Sequence, residues 1–262
     1  MLRLRPPKRL SADAPIWPAG YARHVLAEVD STNQEATRLA PGLTGPTWIM
    51  ARRQTAARGR RGRVWISPEG NFAASLLMRP IGDPTQVALR SFTAALALAD
   101  ALATICGPRA DISLKWPNDV LLNGAKVAGI LLESAGQGAL VSHLIIGIGV
   151  NLTEAPPPEA LEAGAMAPTS VQAATGLAVT PDEVLDYLAP AFARYEAQLV
   201  TYGFAPIRTA WLARAARLGQ VITARTTLEV IEGRFETLAE DGALVLATKQ
   251  GRRAIPAAEV FF

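Results

Sequence analysis

The chain has 262 residues, half of them hydrophobic, a formal net charge of +3 and a pI of about 9.3. That length buries a full core and admits one large domain or one plus a small one, and the apolar content excludes a disordered chain. The lone Cys106 excludes an internal disulfide, as suits a reducing cytoplasm.

Residues 1–20 are rich in proline and charge and read as an irregular arm without the apolar run of a signal peptide. No segment approaches about 20 uninterrupted apolar residues, so a soluble cytoplasmic protein with no membrane partner is expected. A strand is expected at His24–Glu28. Asp30, Ser31 and Thr32 are capping residue types ahead of a helix over about Asn33–Leu39, which Pro41 and Gly42 end. Trp48–Arg52 reads as a strand running into an arginine loop, and Phe72–Arg79 as a second apolar strand. Pro84 opens a long helix, about Thr85–Ile105, stopped by Gly107 and Pro108.

Ile112–Trp116, Val120–Leu122, Lys126–Glu133 and Leu140–Asn151 form a meander, with a hairpin signal at Asn123-Gly124 and a second turn at Ala135–Gly138. Strands so closely joined are expected to be antiparallel, which argues against a Rossmann sheet. Residues 154–168 carry three consecutive prolines and read as a surface loop. Helices follow at Pro181–Tyr202 and about Ala205–Ala216. Beyond Gly219, short strands at Val221–Ala224, Leu228–Ile231, Gly233–Leu238, Ala243–Ala247 and Arg253–Pro256 suggest a small β-barrel. The class is α+β, with a boundary near Arg217 that divides the chain into 1–216 and 217–262.

Arginine occupies positions 52, 53, 58, 60, 61 and 63, with Gly59 and Gly62 among the last four. Arginine offers a permanent charge and a planar donor fork that fits phosphate or carboxylate, and glycine lets the backbone approach a ligand. The run fits an anion-binding loop, a solvated surface or a nucleic-acid patch. Lys115 comes at the end of a strand that Pro117 terminates, followed by Asn118 and Asp119. It suits either an anion or an ordinary turn with a snorkelling lysine. Gly147, Gly149 and Asn151 share one strand face and clear a floor for a flat ligand or for another backbone. The third glycine of a dinucleotide fingerprint is missing, and the chain holds no Walker sequence. Ser31, Thr32 and Asn33 either cap a helix or hold a polar head group, and Gln54 adds one amide. His24 and His143 have no Cys or Glu at ligand spacing, so no zinc site is expected.

Segments 30–36 (DSTNQEA), 54–65 (QTAARGRRGRVW), 115–133 (KWPNDVLLNGAKVAGILLE) and 146–152 (IGIGVNL), in that order, resemble the biotin protein ligases. The resemblance covers about residues 24–152 and extends more weakly through the C-terminal strands. It implies a mixed sheet like that of class II aminoacyl-tRNA synthetases and an SH3-like C-terminal domain. It also implies an ATP-dependent ligase: biotin and ATP, with Mg2+, give biotinyl-5′-AMP, which a lysine of an apo biotin carboxyl carrier protein attacks.

By motif, Ser31, Thr32, Asn33 and Gln54 would hold the biotin ring, with Gly129, Gly147 and Gly149 beneath it. Arg58, Gly59 and Arg60 would cover biotin and the adenylate phosphate, and Lys115 would touch carboxylate and phosphate oxygens. Arg60, Arg63, Trp65, Lys115, Asn118 and Asn151 would contact ATP, and Asp119 the metal.

Ala57 departs from the glycine usual there. If that position needs positive φ, alanine costs roughly 1–2 kcal/mol on loop closure, and an Ala57→Gly variant would bind biotin more tightly. About thirty residues precede Ser31, too few for a winged helix-turn-helix, so no operator or other nucleic-acid binding is expected. The neighbouring alternative is a lipoate or octanoate transferase. A homodimer through an exposed sheet edge is compatible with the sequence.

Overall fold

A computed structural model describes residues 15–137, 140–157 and 166–262. The first fourteen residues of the expected arm, Gly138 of the expected turn and the middle of the expected loop 154–168 lie outside the described residues. Seven strands form one sheet: β1 (Ala22–Val29), β2 (Thr47–Gln54), β3 (Phe72–Met78), β4 (Ile112–Lys115), β5 (Asp119–Leu122), β6 (Ala125–Gln137) and β7 (Leu140–Val150), in spatial order β1-β2-β3-β7-β6-β5-β4. Only β1 and β2 are parallel, because helix α1 (Thr32–Leu39) separates them in sequence. The β4–β7 meander is antiparallel throughout, as its tight turns require.

The two sheet faces are covered differently. Trp48, Met50, Phe72, Leu76, Ile146 and Ile148 face the main core. There they meet helices α2 (Pro84–Ala88), α3 (Arg90–Cys106), α5 (Pro181–Tyr202) and α6 (Phe204–Leu212). The alternate residues Ile49, Leu77 and Ile145 pack on Ala36 and Ala40 at α1. With both faces covered, every residue of β3 is buried. A buried ion pair joins the helices, Arg90 donating to Glu196 at 2.6 Å. The run Pro84–Cys106 is long and apolar enough to cross a bilayer, but 67% of its apolar window is buried, as in a core helix.

The capping signals act locally. Asp83 accepts from the Thr85 and Gln86 N–H groups, and Thr180 with Glu183 forms a capping box ahead of Pro181. The long helix expected from Pro84 breaks at Leu89 into α2 and α3. Helix α6 ends at Leu212, short of Ala216, because residues 214–216 hydrogen-bond to Leu114 of β4 instead. A short helix, α4 (Val171–Thr175), was not foreseen.

The C-terminal unit is a five-stranded antiparallel sheet of the SH3-like type: β8 (Val221–Arg225), β9 (Val230–Leu238), β10 (Leu244–Thr248), β11 (Gly251–Ile255) and β12 (Glu259–Phe261). Two expected strands merge into β9. Gly233 does not turn the chain; it lets β10 approach, since a β-carbon there would lie 2.9 Å from the Ala247 carbonyl. Strand β12 is too short for a periodic signal. Trp116 Nε1 donates to the Gly242 carbonyl at 3.1 Å and fastens this unit to the turn after β4.

Candidate active site

A cavity of about 490 Å3 opens on the α1 side of the sheet and is closed from above by β8 and β12. Every site residue expected from the sequence lines it. Its floor is the glycine face of β6 and β7. A β-carbon on Gly147 would overlap Asn33 Oδ1, and one on Gly149 would lie 2.6 Å from Trp65 Nε1. The glycines therefore admit two side chains of this protein, Asn33 and Trp65, close to the sheet. At the end of the floor Asn151 is 1% exposed; its Nδ2 donates to the Thr169 carbonyl, and its Oδ1 has no partner among the described residues.

The polar end is built from α1 and β2. Ser31 is the N-cap residue of α1 by position, yet its hydroxyl makes no capping bond. The Gln54 carbonyl oxygen accepts from the Thr32 N–H at 2.8 Å. This turns the Gln54 amide nitrogen away from the helix start.

The arginine segment is a small hairpin. Trp65 N donates to Ala57 O at 3.0 Å, Gly59 N to Arg63 O at 2.8 Å, and Arg58 bridges Val64. Its turn lies at Arg61 and Gly62, which take φ of 58° and 75°. Ala57 is not among the positive-φ residues and is buried, so the strain expected at this alanine is absent. The steric demand for the left-handed region falls four residues later, on Arg61. Arg60 is held by Asn118, whose Oδ1 accepts at 3.4 Å while its Nδ2 donates to the Ile130 carbonyl. Burial lowers the affinity of Arg60 for its proton, with Asp119 opposing.

Glu259, from β12, ion-pairs with Arg63 at 2.6 Å and lies 3.6 Å from Arg61. Burial acts to raise its carboxyl pKa, but the hydrogen bond and charge of Arg63, with Arg61 and Arg225, hold it below the usual range. The C-terminal unit thus fastens the arginine hairpin over the cavity.

Two lysines serve one carboxylate. Lys126 Nζ lies 2.7 Å from Asp119 Oδ1, an ion pair without the angles of a directed hydrogen bond, and Lys115 Nζ lies 4.0 Å from Oδ2. Burial pulls the Lys115 ammonium below the usual lysine range, against the pull of Asp119. Lys115 also faces the Phe262 ring, and Lys126 the Trp65 ring. The carboxylates lining the cavity, Asp119 and Glu259, are each taken by cations, and no group of three metal-ligating side chains occurs among the described residues. This donor set does not form a resident metal site, and a metal at Asp119 would have to displace Lys126.

The pattern of the Biotin/lipoate A/B protein ligase family matches residues 25–151, and that of the Biotin protein ligase C terminal domain matches 218–262. A biotin–[acetyl-CoA-carboxylase] ligase from Paracoccus denitrificans is 61% identical over 238 residues, 91% of this chain and 99% of that protein. The chain belongs to the biotin protein ligase family. A bifunctional ligase/repressor from Bacillus subtilis is 34% identical, covering 88% of this chain and 71% of that protein. Among solved structures, the biotin protein ligase from Aquifex aeolicus in complex with biotin and ATP has a TM-score of 0.76 and 29% identity, covering 91% of this chain and 97% of that one.

For a biotin protein ligase, sequence reasoning placed one cation too few in the site. Lys126 lies within the third motif, eleven residues beyond Lys115. The signal was the Asn123-Gly124 turn, which folds Lys126 back beside Asp119. Glu259 and Arg225 were missed because they come from the C-terminal sheet, far away in sequence.

Proposed function

We propose that this chain activates biotin with ATP as biotinyl-5′-AMP and transfers the biotinyl group to one lysine of an apo carrier protein of a carboxylase. The observation that carries the reading is the cationic wall of Arg58, Arg60, Lys115 and Lys126 over a glycine floor, beside an uncharged polar end. A carboxylate oxygen attacks the α-phosphorus, and pyrophosphate leaves. Both partners are anions, so their approach needs opposing charge fixed in advance. The mixed anhydride then meets the carrier amine, which attacks the carbonyl carbon; AMP leaves, the amine loses its proton and an amide forms.

Ser31, Thr32, Asn33 and Gln54 hold the ureido ring, and Gly129, Gly147 and Gly149 leave the room in which Asn33 and Trp65 lie against the sheet beneath it. Arg58, Gly59 and Arg60 cover the acyl phosphate and exclude water. Arg63 and Trp65 shape the nucleotide side, where Asn118 sets Arg60 and Asn151 Oδ1, without a partner among the described residues, suits an amine donor of the base. Mg2+ belongs with the ATP phosphates, and Asp119 reaches it only by exchanging Lys126. Residues 1–216 form the biotin- and ATP-binding unit, and 217–262 the unit that closes over it. The reaction suits the cytoplasm, where ATP and apo carboxylases meet.

The lipoate or octanoate alternative needs an apolar head-group pocket, whereas here Thr32, Asn33 and Gln54 converge. A nucleic-acid role for the arginine run is disfavoured by its fold into the cavity and its pairing with Glu259. Incubation with biotin, ATP, Mg2+ and an apo carrier domain should add one biotinyl group to one lysine, read by intact mass and peptide mapping. No addition with biotin, or addition of lipoate or octanoate alone, would overturn the proposal.

A further inference from the structure

Glu133 and Ser75 have no place in the site as read so far, yet both join its polar end. On β6, Gly129, Leu131 and Glu133 share the floor face, and across β7 they pair with Gly149, Gly147 and Ile145. Glu133 therefore stands one step beyond the point where Asn33 rests on Gly147. Asn33 Nδ2 donates to Glu133 Oε2 at 2.6 Å. Ser75 Oγ, fully buried on β3, lies 2.5 Å from Asn33 Oδ1 and 2.7 Å from Thr32 Oγ1.

The proton inventory of this chain has few solutions. The NH2 end of Asn33 is spent on Glu133, which leaves its oxygen end facing Ser75. That oxygen cannot donate, so the single Ser75 proton is committed to it. With the Ser75 proton spent on Asn33, the Thr32 hydroxyl has two inward acceptors for its own proton, Ser75 Oγ at 2.7 Å and Gln54 Oε1 at 3.2 Å. With its proton on either of them, Thr32 offers a ligand lone pairs. Gln54 Oε1 is already occupied by the Thr32 N–H, leaving its NH2 end as a donor.

We infer that Glu133 and Ser75 are positioning residues that set the hydrogen-bond polarity of the head-group pocket, making it accept an N–H at Thr32. Resting on the biotin reading above, this makes the relay a determinant of specificity for a cyclic urea, which carries N–H donors beside a carbonyl. A dithiolane or an alkyl end carries no N–H donor and leaves the oriented groups unpaired, which is costly in a buried site.

The test compares Glu133→Ala, Glu133→Gln and Ser75→Ala in the full chain. Isothermal titration with biotin should show about tenfold weaker binding for Glu133→Ala and for Ser75→Ala, the loss typical of one hydrogen bond to an oriented group. Glu133→Gln, which keeps an acceptor oxygen, should stay within about threefold of wild type. The double variant should lose less than the product of the two single losses, because both act through Asn33. The KM for biotin should rise with kcat unchanged, the mark of altered ground-state binding.

A ligand-free readout separates the relay from the biotin reading. The Asn33 side-chain amide should exchange slowly with solvent in wild type and Glu133→Gln, and rapidly in Glu133→Ala. No biotin binding by wild type would overturn the functional reading alone. Equal amide exchange in all variants, or equal biotin affinity where wild type binds, would overturn the relay.

Discussion

The indole of Trp65 occupies the space that a side chain at Gly149 would need: a β-carbon there would lie 2.6 Å from Nε1. The arginine hairpin and the sheet floor are therefore matched through one missing methyl group. Gly149→Ala should move Trp65 and the hairpin that carries it while leaving the buried core intact. We predict at least a tenfold loss of biotin-dependent ATP–pyrophosphate exchange, since misplaced reacting groups are costly, and a changed tryptophan fluorescence. Unchanged exchange would show that the hairpin position does not matter to the reaction.

Ala57→Gly tests the corrected reading of the hairpin. Ala57 is buried without positive φ, so glycine relieves nothing there and adds freedom to the open chain, costing about 0.5–1 kcal/mol. Biotin affinity measured by calorimetry should be equal or slightly weaker in the variant. Clearly tighter binding would restore the strain once expected at this position.

Glu259→Gln removes the charge that fastens the hairpin to the C-terminal unit. The pair is partly exposed, so the effect on global stability should stay below about 1 kcal/mol. The visible change should be a several-fold faster release of biotinyl-5′-AMP into solvent, followed by trapping with a free amine. The pH sign follows from the depressed carboxyl pKa: the fastening is complete above the unfolded value and is lost as pH falls through the lower folded one. Adenylate retention in wild type should thus hold down to about pH 5, above both values.

For activity, Lys115 gives the opposite pH sign; for stability, its lowered pKa acts in the same direction as that of Glu259. Burial lowers its pKa, so its charge is lost as pH rises, before a free lysine would titrate at about 10.4. For stability, the cost of burying the ammonium disappears over the same rise; for activity, the useful cation is lost. The exchange rate should fall on the alkaline side in wild type, and Lys115→Arg should move that fall to higher pH. An identical profile would remove Lys115 from the charged groups that matter.

Most of the fold was legible because it is local. Proline and glycine mark the ends of α1 and α5, and Asn123-Gly124 fixes the β5–β6 hairpin. The glycine floor could be read from strand alternation alone. What fills it could not: Trp65 and Asn33 reach it from other elements. The parallel pairing of β1 with β2, the β12 strand and the contacts of Glu259, Glu133 and Ser75 depend on tertiary closure. The part of Lys126 was likewise not legible beside that of Lys115, since only the hairpin brings the two to the same carboxylate.

Lys126 provides the most direct test of the central claim, that this cavity makes an acyl adenylate against a fixed cationic wall. Biotin-dependent exchange of labelled pyrophosphate into ATP should be compared between wild type and Lys126→Ala, with lipoate and octanoate as alternative acids. The account predicts exchange with biotin alone and a loss of at least a hundredfold in the variant, as expected when one charge of the proposed cationic wall is removed. No exchange with biotin in wild type, or full exchange in Lys126→Ala, would contradict it.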